Sequence, residues 1–63
     1  MLDYRVRFLN RAGVVVGEYT ASAAGVRGVL GLLVDLEWPL DAVALRVLDP
    51  AGQQVHAEVL GGQ

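Results

Sequence analysis

The chain contains no cysteine and a single histidine, His56. The first absence excludes disulfides and thiolate metal sites, and a lone His gives a zinc site poor support. No apolar run approaches the ~18 residues of a spanning helix, so no membrane partner is expected. The start, Met1-Leu2-Asp3-Tyr4-Arg5, lacks the charged-then-apolar order of a signal peptide. These features predict a cytoplasmic protein. Charge is also scarce: 19% of residues are charged and the formal net charge is −2. That balance gives no global attraction to nucleic acid or an anionic surface.

Hydrophobic residues, by contrast, make up 54% of only 63 residues. A domain this small buries about 60% of the surface its unfolded chain exposes. Small scaffolds usually add a disulfide, a metal or association. With the first two removed, association remains, and a homo-oligomer, most simply a dimer, is the expected partner state.

Two short phrases, Phe8-Leu-Asn-Arg-Ala-Gly13 and Val47-Leu-Asp-Pro-Ala-Gly52, nearly repeat one another 39 positions apart. Each follows an alternating run. Tyr4, Val6 and Phe8 point one way and Arg5, Arg7 and Leu9 the other; Val43, Leu45 and Val47 share a face farther on. Asn10 and Asp49 can bond their own backbone, Pro50 presets φ, and Gly13 and Gly52 accept positive φ. Each phrase therefore closes a hairpin. The aligned pairs Arg7 with Arg46, Leu9 with Leu48 and Val16 with Val55 extend the match beyond the turns.

Between the hairpins, Val26, Val29, Leu30, Leu33 and Leu36 form one helical stripe. Thr20 or Ser22 is placed to cap its start, and Trp38-Pro39 ends it. The expected layout is one domain over 1–63: hairpin 3–20, helix 22–37, hairpin 42–60, with Gly61 to Gln63 a frayed end. The fold class is α+β, ββαββ, a four-stranded antiparallel sheet of order 2-1-3-4 with the helix on one face.

Two stretches strain this pattern. Gly25, Gly28 and Gly31 fall inside the predicted helix, where each costs ~1 kcal/mol relative to Ala. They lie off the apolar stripe with Leu32 among them, which suits a second backbone across a two-fold axis. The alternative is a poor helix with tolerated glycines, or a helix that begins only near Val26. The second strand offers two phases. Alignment with Val55, Ala57 and Val59, read as inward, turns Val16, Glu18 and Thr20 toward the helix. Hydrophobicity turns Val15, Gly17 and Tyr19 inward instead, and a bulge can shift the phase by one residue. In the first case Val15 and Tyr19 join Leu9 and Leu48 in an apolar patch on the open sheet face.

No nucleophile, base and orienter are spaced for catalysis. The glycines make no phosphate loop, and no catalytic, cofactor-binding or metal-ligating residue is expected. His56, between Gln54 and Glu58, reads as solvent-facing. Arg5, Arg7 and Arg46 fall on the outer sheet face with Arg11 at a turn beside it, a candidate nucleic-acid contact. The leading expectation is a non-enzymatic homodimeric assembly or protein-interaction module. Its contact surface would be the side of Gly25, Gly28, Gly31 and Leu32, or the open-face set Leu9, Val15, Tyr19 and Leu48.

Overall fold

The computed structural model describes residues 1–59. It has four strands and one helix in the order ββαββ: β1 (Leu2–Leu9), β2 (Val15–Ala23), α1 (Val26–Leu33), β3 (Ala44–Leu48) and β4 (Gln54–Val59). The strands form one antiparallel sheet of order β2-β1-β3-β4. The expected end of the second hairpin at residue 60 and the expected frayed tail lie outside the described residues.

The turns form as their residues dictate, and they form alike. Asn10 Oδ1 accepts from the amides of Ala12 (2.9 Å) and Val14 (3.0 Å). Asp49 Oδ1 accepts from those of Ala51 (2.9 Å) and Gln53 (2.8 Å). Gly13 and Gly52 both take positive φ, 82° and 88°, and donate back to the carbonyls of Asn10 and Asp49, each at 2.9 Å. A turn ending on a left-handed glycine is suited to a bulge in the returning strand. Pairing in hairpin one jumps from Phe8–Gly17 to Leu9–Val15 and skips Val16. In hairpin two it jumps from Val47–His56 to Leu48–Gln54 and skips Val55.

Those bulges decide which way the returning strands face, because directly opposed residues share a side of the sheet. Gly17, Tyr19 and Ala21 lie opposite Phe8, Val6 and Tyr4, on the helix side. Glu18 and Thr20 lie opposite Arg7 and Arg5 on the open side, and Val15 lies opposite Leu9. Hydrophobicity therefore predicts Gly17 and Tyr19, while the bulge sends Val15 to the other face. The reading of β4 needs correction. Ala57 and Val59 oppose Arg46 and Ala44 on the open side, and His56 and Glu58 oppose Val47 and Leu45 on the helix side. The skipped Val55 inverts the phase that alternation alone suggests.

The helix is also corrected, from 22–37 to eight residues, Val26–Leu33. Ser22 belongs to β2, where its hydroxyl donates to Asp3 Oδ1 at 2.9 Å. Thr20 is in β2 as well, so neither residue caps the helix. The N-cap is Gly25, without a side-chain bond, and its carbonyl accepts from the amides of Gly28 (3.1 Å) and Val29 (3.4 Å). No acid lies in the first turn and no base in the last. Beyond Leu33 come Asp35 and Glu37, whose charges oppose the helix dipole at its C-terminal end. Uncapped and interrupted by glycine, the segment is helical only where Val29 and Leu33 are held in the core.

That core is Tyr4, Val6, Phe8, Ala21, Ala23, Val29, Leu33, Ala42, Leu45 and Val47, with Val26, Leu30, Leu36 and Trp38 packed around it. The helix lies against β2. The connection to β3 closes the remaining part of the same face. Trp38 meets Phe8 edge-on, with ring centroids 5.4 Å apart. A Cβ on Gly17 would stand 3.1 Å from the Pro39 ring, so the absence of a side chain there lets the connection settle on the sheet. Among the described residues, the helix and this connection lie on the same side of the sheet.

Candidate functional site

The uncovered side of the sheet is the candidate site. Register places its side chains in rows across the strands. The middle row is Glu18, Arg7, Arg46 and Ala57. On one side of it lie Thr20, Arg5, Leu48 and Gln54; on the other lie Val15, Leu9, Ala44 and Val59. The face is thus a basic centre bordered by an apolar row. Ala57, Val59 and Val15 are exposed, and Ala44 and Leu48 are half-buried. Leu9, although on this side, is only 8% exposed, so it contributes little contact surface of its own.

Three of the four candidate arginines are brought together here, as Arg7 opposes Arg46 and Arg5 follows along β1. Arg11 is not on the face. It sits at the first turn and lines a hollow with Asn10, Asp41 and Val43. The arginines differ in their partners. Arg7 Nε donates to Glu18 Oε2 at 2.9 Å. No carboxylate of the described residues stands within 4.0 Å of the Arg5 or Arg46 guanidinium. A groove of about 490 Å³ runs from Asp3, Arg5 and Arg7 to Leu48 and the second turn. Its acids are partly engaged, Asp3 by the Ser22 hydroxyl and Asp49 by two turn amides.

The other expected contact residues separate. Tyr19 is on the helix side opposite Val6 and 42% exposed, so it does not join Leu9, Val15 and Leu48; the hydrophobic phase of β2 puts it there. The glycines form no continuous smooth side. Gly25 precedes the helix. A Cβ on Gly28 would meet the Ala23 methyl at 3.0 Å, so Gly28 serves the approach of α1 to its own sheet. A Cβ on Gly31 would meet nothing within 4 Å, and Leu32 is 46% exposed.

His56 Nε2 lies 2.9 Å from Glu58 Oε2 on the helix side of β4. The helix packs on β2, away from this pair on β4; His56 is half-buried and Glu58 exposed. Among the described residues no group of three His, Cys, Asp or Glu is close enough to share a metal ion. No helix among them is long and apolar enough to cross a membrane.

Sequence reasoning missed the asymmetry between Arg7 and Arg46. The repeat offset held the signal: 39 residues after Glu18 comes Ala57. Comparison with family models, curated proteins and solved structures finds no match to this chain.

Proposed function

We propose that this chain is a non-enzymatic interaction module that self-associates as a homodimer through the open face of its sheet. One observation carries the reading: helix and connection both cover the same side, and the other side presents Val15, Ala44 and Leu48 around its arginines. An apolar row on a sheet face is stabilised by burial against another layer. The size of the domain points the same way, since a second sheet layer would bury surface that one layer leaves wet. The glycine and Leu32 side has less to recommend it as a contact, because Gly28 is occupied by Ala23. Analytical ultracentrifugation at micromolar concentration tests the reading. A sedimenting dimer is expected, and a stable monomer overturns it.

A second reading is favoured by the convergence of Arg5, Arg7 and Arg46 on one face, which could contact nucleic-acid phosphates. Arg7 is already paired with Glu18, leaving two arginines on the face without an ion-pair partner among the described residues. Two phosphate contacts correspond to a salt slope of only about −2 on duplex DNA. A salt-titrated gel shift comparing the wild type with the Arg5/Arg7/Arg46 triple alanine variant tests it. Binding that is absent, salt-insensitive or equal for the two proteins removes it.

A further inference from the structure

The two hairpins are related by a pseudo-two-fold axis normal to the sheet. It passes between Arg7 and Arg46, which oppose one another and are themselves 39 residues apart. The operation carries Phe8–Gly17 onto Val47–His56, Leu9–Val15 onto Leu48–Gln54, and Arg5–Thr20 onto Ala44–Val59. It also carries the ion pair Arg7–Glu18 onto Arg46–Ala57. The molecule thus contains its own control. The same arginine in the same hairpin has a carboxylate in one copy and a methyl group in the other.

We propose that the carboxylate missing beside Arg46 is supplied by Glu18 of a second copy of this chain, and reciprocally. This inference rests on the homodimer reading above and specifies its geometry. Glu18 and Arg46 flank β1 from the two neighbouring strands. With strands about 4.8 Å apart, they stand about 10 Å from one another. Consider a two-fold axis lying between two facing sheets and running along β1. It sets β1 against β1, and β2 of each copy against β3 of the other. Glu18 of each chain then faces Arg46 of the other, while Val15 faces Ala44 and Leu9 faces Leu9.

The side-chain chemistry suits that arrangement. Glu18 uses Oε2 for Arg7, and no hydrogen bond engages Oε1 among the described residues. A carboxylate accepts from two arginines through its two oxygens. The result is a chain Arg7–Glu18–Arg46 of the second copy, repeated on the other side of the axis. On the axis Arg5 and Arg7 come near their own counterparts. Glu18 beside Arg7, and Asp3 next along β1 from Arg5, supply the opposing charge. All five cations of the chain are arginine, the residue whose planar fork suits interface pairs.

Charge reversal tests this by sedimentation equilibrium. Glu18→Arg and Arg46→Glu are each expected to weaken the dimer tenfold or more by setting like charges face to face. The double variant is expected to recover most of that loss. Ala57→Glu gives Arg46 an in-chain carboxylate like that of Arg7; it is expected to weaken the dimer while leaving the melting curve of the diluted protein intact. β4 lies outside the proposed overlap, so that variant adds no clash. A wild-type dimer indifferent to both reversals, or reversals that the double variant does not rescue, overturns the inference and leaves the homodimer reading standing. A monomeric wild type overturns both.

Discussion

Val16 and Val55 hold the same place in the two hairpins: cross-strand pairing steps over each of them. Everything after them in β2 and β4 changes sides as a result. In β2 the change serves the core, for it turns Gly17, Tyr19, Ala21 and Ala23 toward the helix. In β4 it carries Ala57 and Val59 to the open face, although their apolar character alone would turn them inward. The turn geometry outweighs the hydrophobic pattern in β4 because, among the described residues, no helix covers that edge to reward the alternative.

If one turn design sets both registers, damage to either turn should cost the same. Gly13→Ala and Gly52→Ala put a side chain at φ near +85° with open space around the new Cβ, so the backbone term acts alone. It amounts to about 1–2 kcal/mol for a left-handed non-glycine residue. Thermal melts followed by circular dichroism should show equal drops for the two variants, roughly 4–8 °C for each kcal/mol in a domain of this size. Unequal drops would show that the hairpins differ in ways their hydrogen bonds do not.

The side chains that brace these turns give a related expectation. Asn10→Ala and Asp49→Ala each remove two bonds to amides, with a net cost of about 0.5–1.5 kcal/mol per bond. Exposure of the sites favours the lower end. Asp49→Asn keeps the acceptor oxygen and should keep most of the stability. A denaturant midpoint for Asp49→Asn as low as that for Asp49→Ala would show that charge, rather than acceptance, matters there.

Much of this architecture is legible in the chain itself. Alternation in Tyr4–Leu9 and Ala42–Leu48, the two glycine-closed turns and the Val26–Leu33 stripe lead to ββαββ and to the order 2-1-3-4 that is observed. What alternation could not reveal was phase after a bulge, because period two is blind to one skipped residue. Helix length was overread because apolar spacing continues to Leu36, whereas helical hydrogen bonding depends on caps and end charges that are missing here. The basic face followed from Arg5, Arg7 and Arg46. The Arg7–Glu18 pair did not, since it depends on the side to which Val16 sends Glu18.

Gly28 and Gly31 should respond in opposite ways to alanine. At an open helical position Gly→Ala gains about 1 kcal/mol, and nothing lies within 4 Å of a Cβ on Gly31. Gly31→Ala is therefore expected to raise the melting temperature. At Gly28 the new methyl group meets that of Ala23 at 3.0 Å, so the helix must shift and the gain should vanish or reverse. A stabilising Gly28→Ala would show that α1 can rise from β2 at little cost. A Gly31→Ala variant that dissociates the dimer would return the contact to the helix.

Leu45 lies near the centre of the core at 1% exposure. Leu45→Ala should cost about 2–5 kcal/mol through lost transfer energy and the cavity left behind. Small domains seldom hold much more than that in one core. The expected result is loss of a cooperative melt at 25 °C, or a midpoint lowered until the transition begins near ambient temperature. A melt close to wild type would mean that Ala42 and Trp38 collapse into the space.

The contact face itself is tested by apolar positions that carry none of the proposed ion pairs. Val15 is on the open side, 49% exposed and opposite Leu9. Val15→Asp sets a charge in the apolar row and should weaken the dimer tenfold or more by sedimentation equilibrium. Leu32, on the helix, and Tyr19, on the helix side of β2, are exposed to a comparable degree, 46% and 42%. Leu32→Arg and Tyr19→Asp should nevertheless leave association unchanged, so general surface hydrophobicity is held nearly constant across the three variants. Tyr19 borders the core, and its variant is judged only where the melt shows it folded. If Leu32→Arg dissociates the protein and Val15→Asp does not, the copies meet through their helices, and the open face belongs to something else.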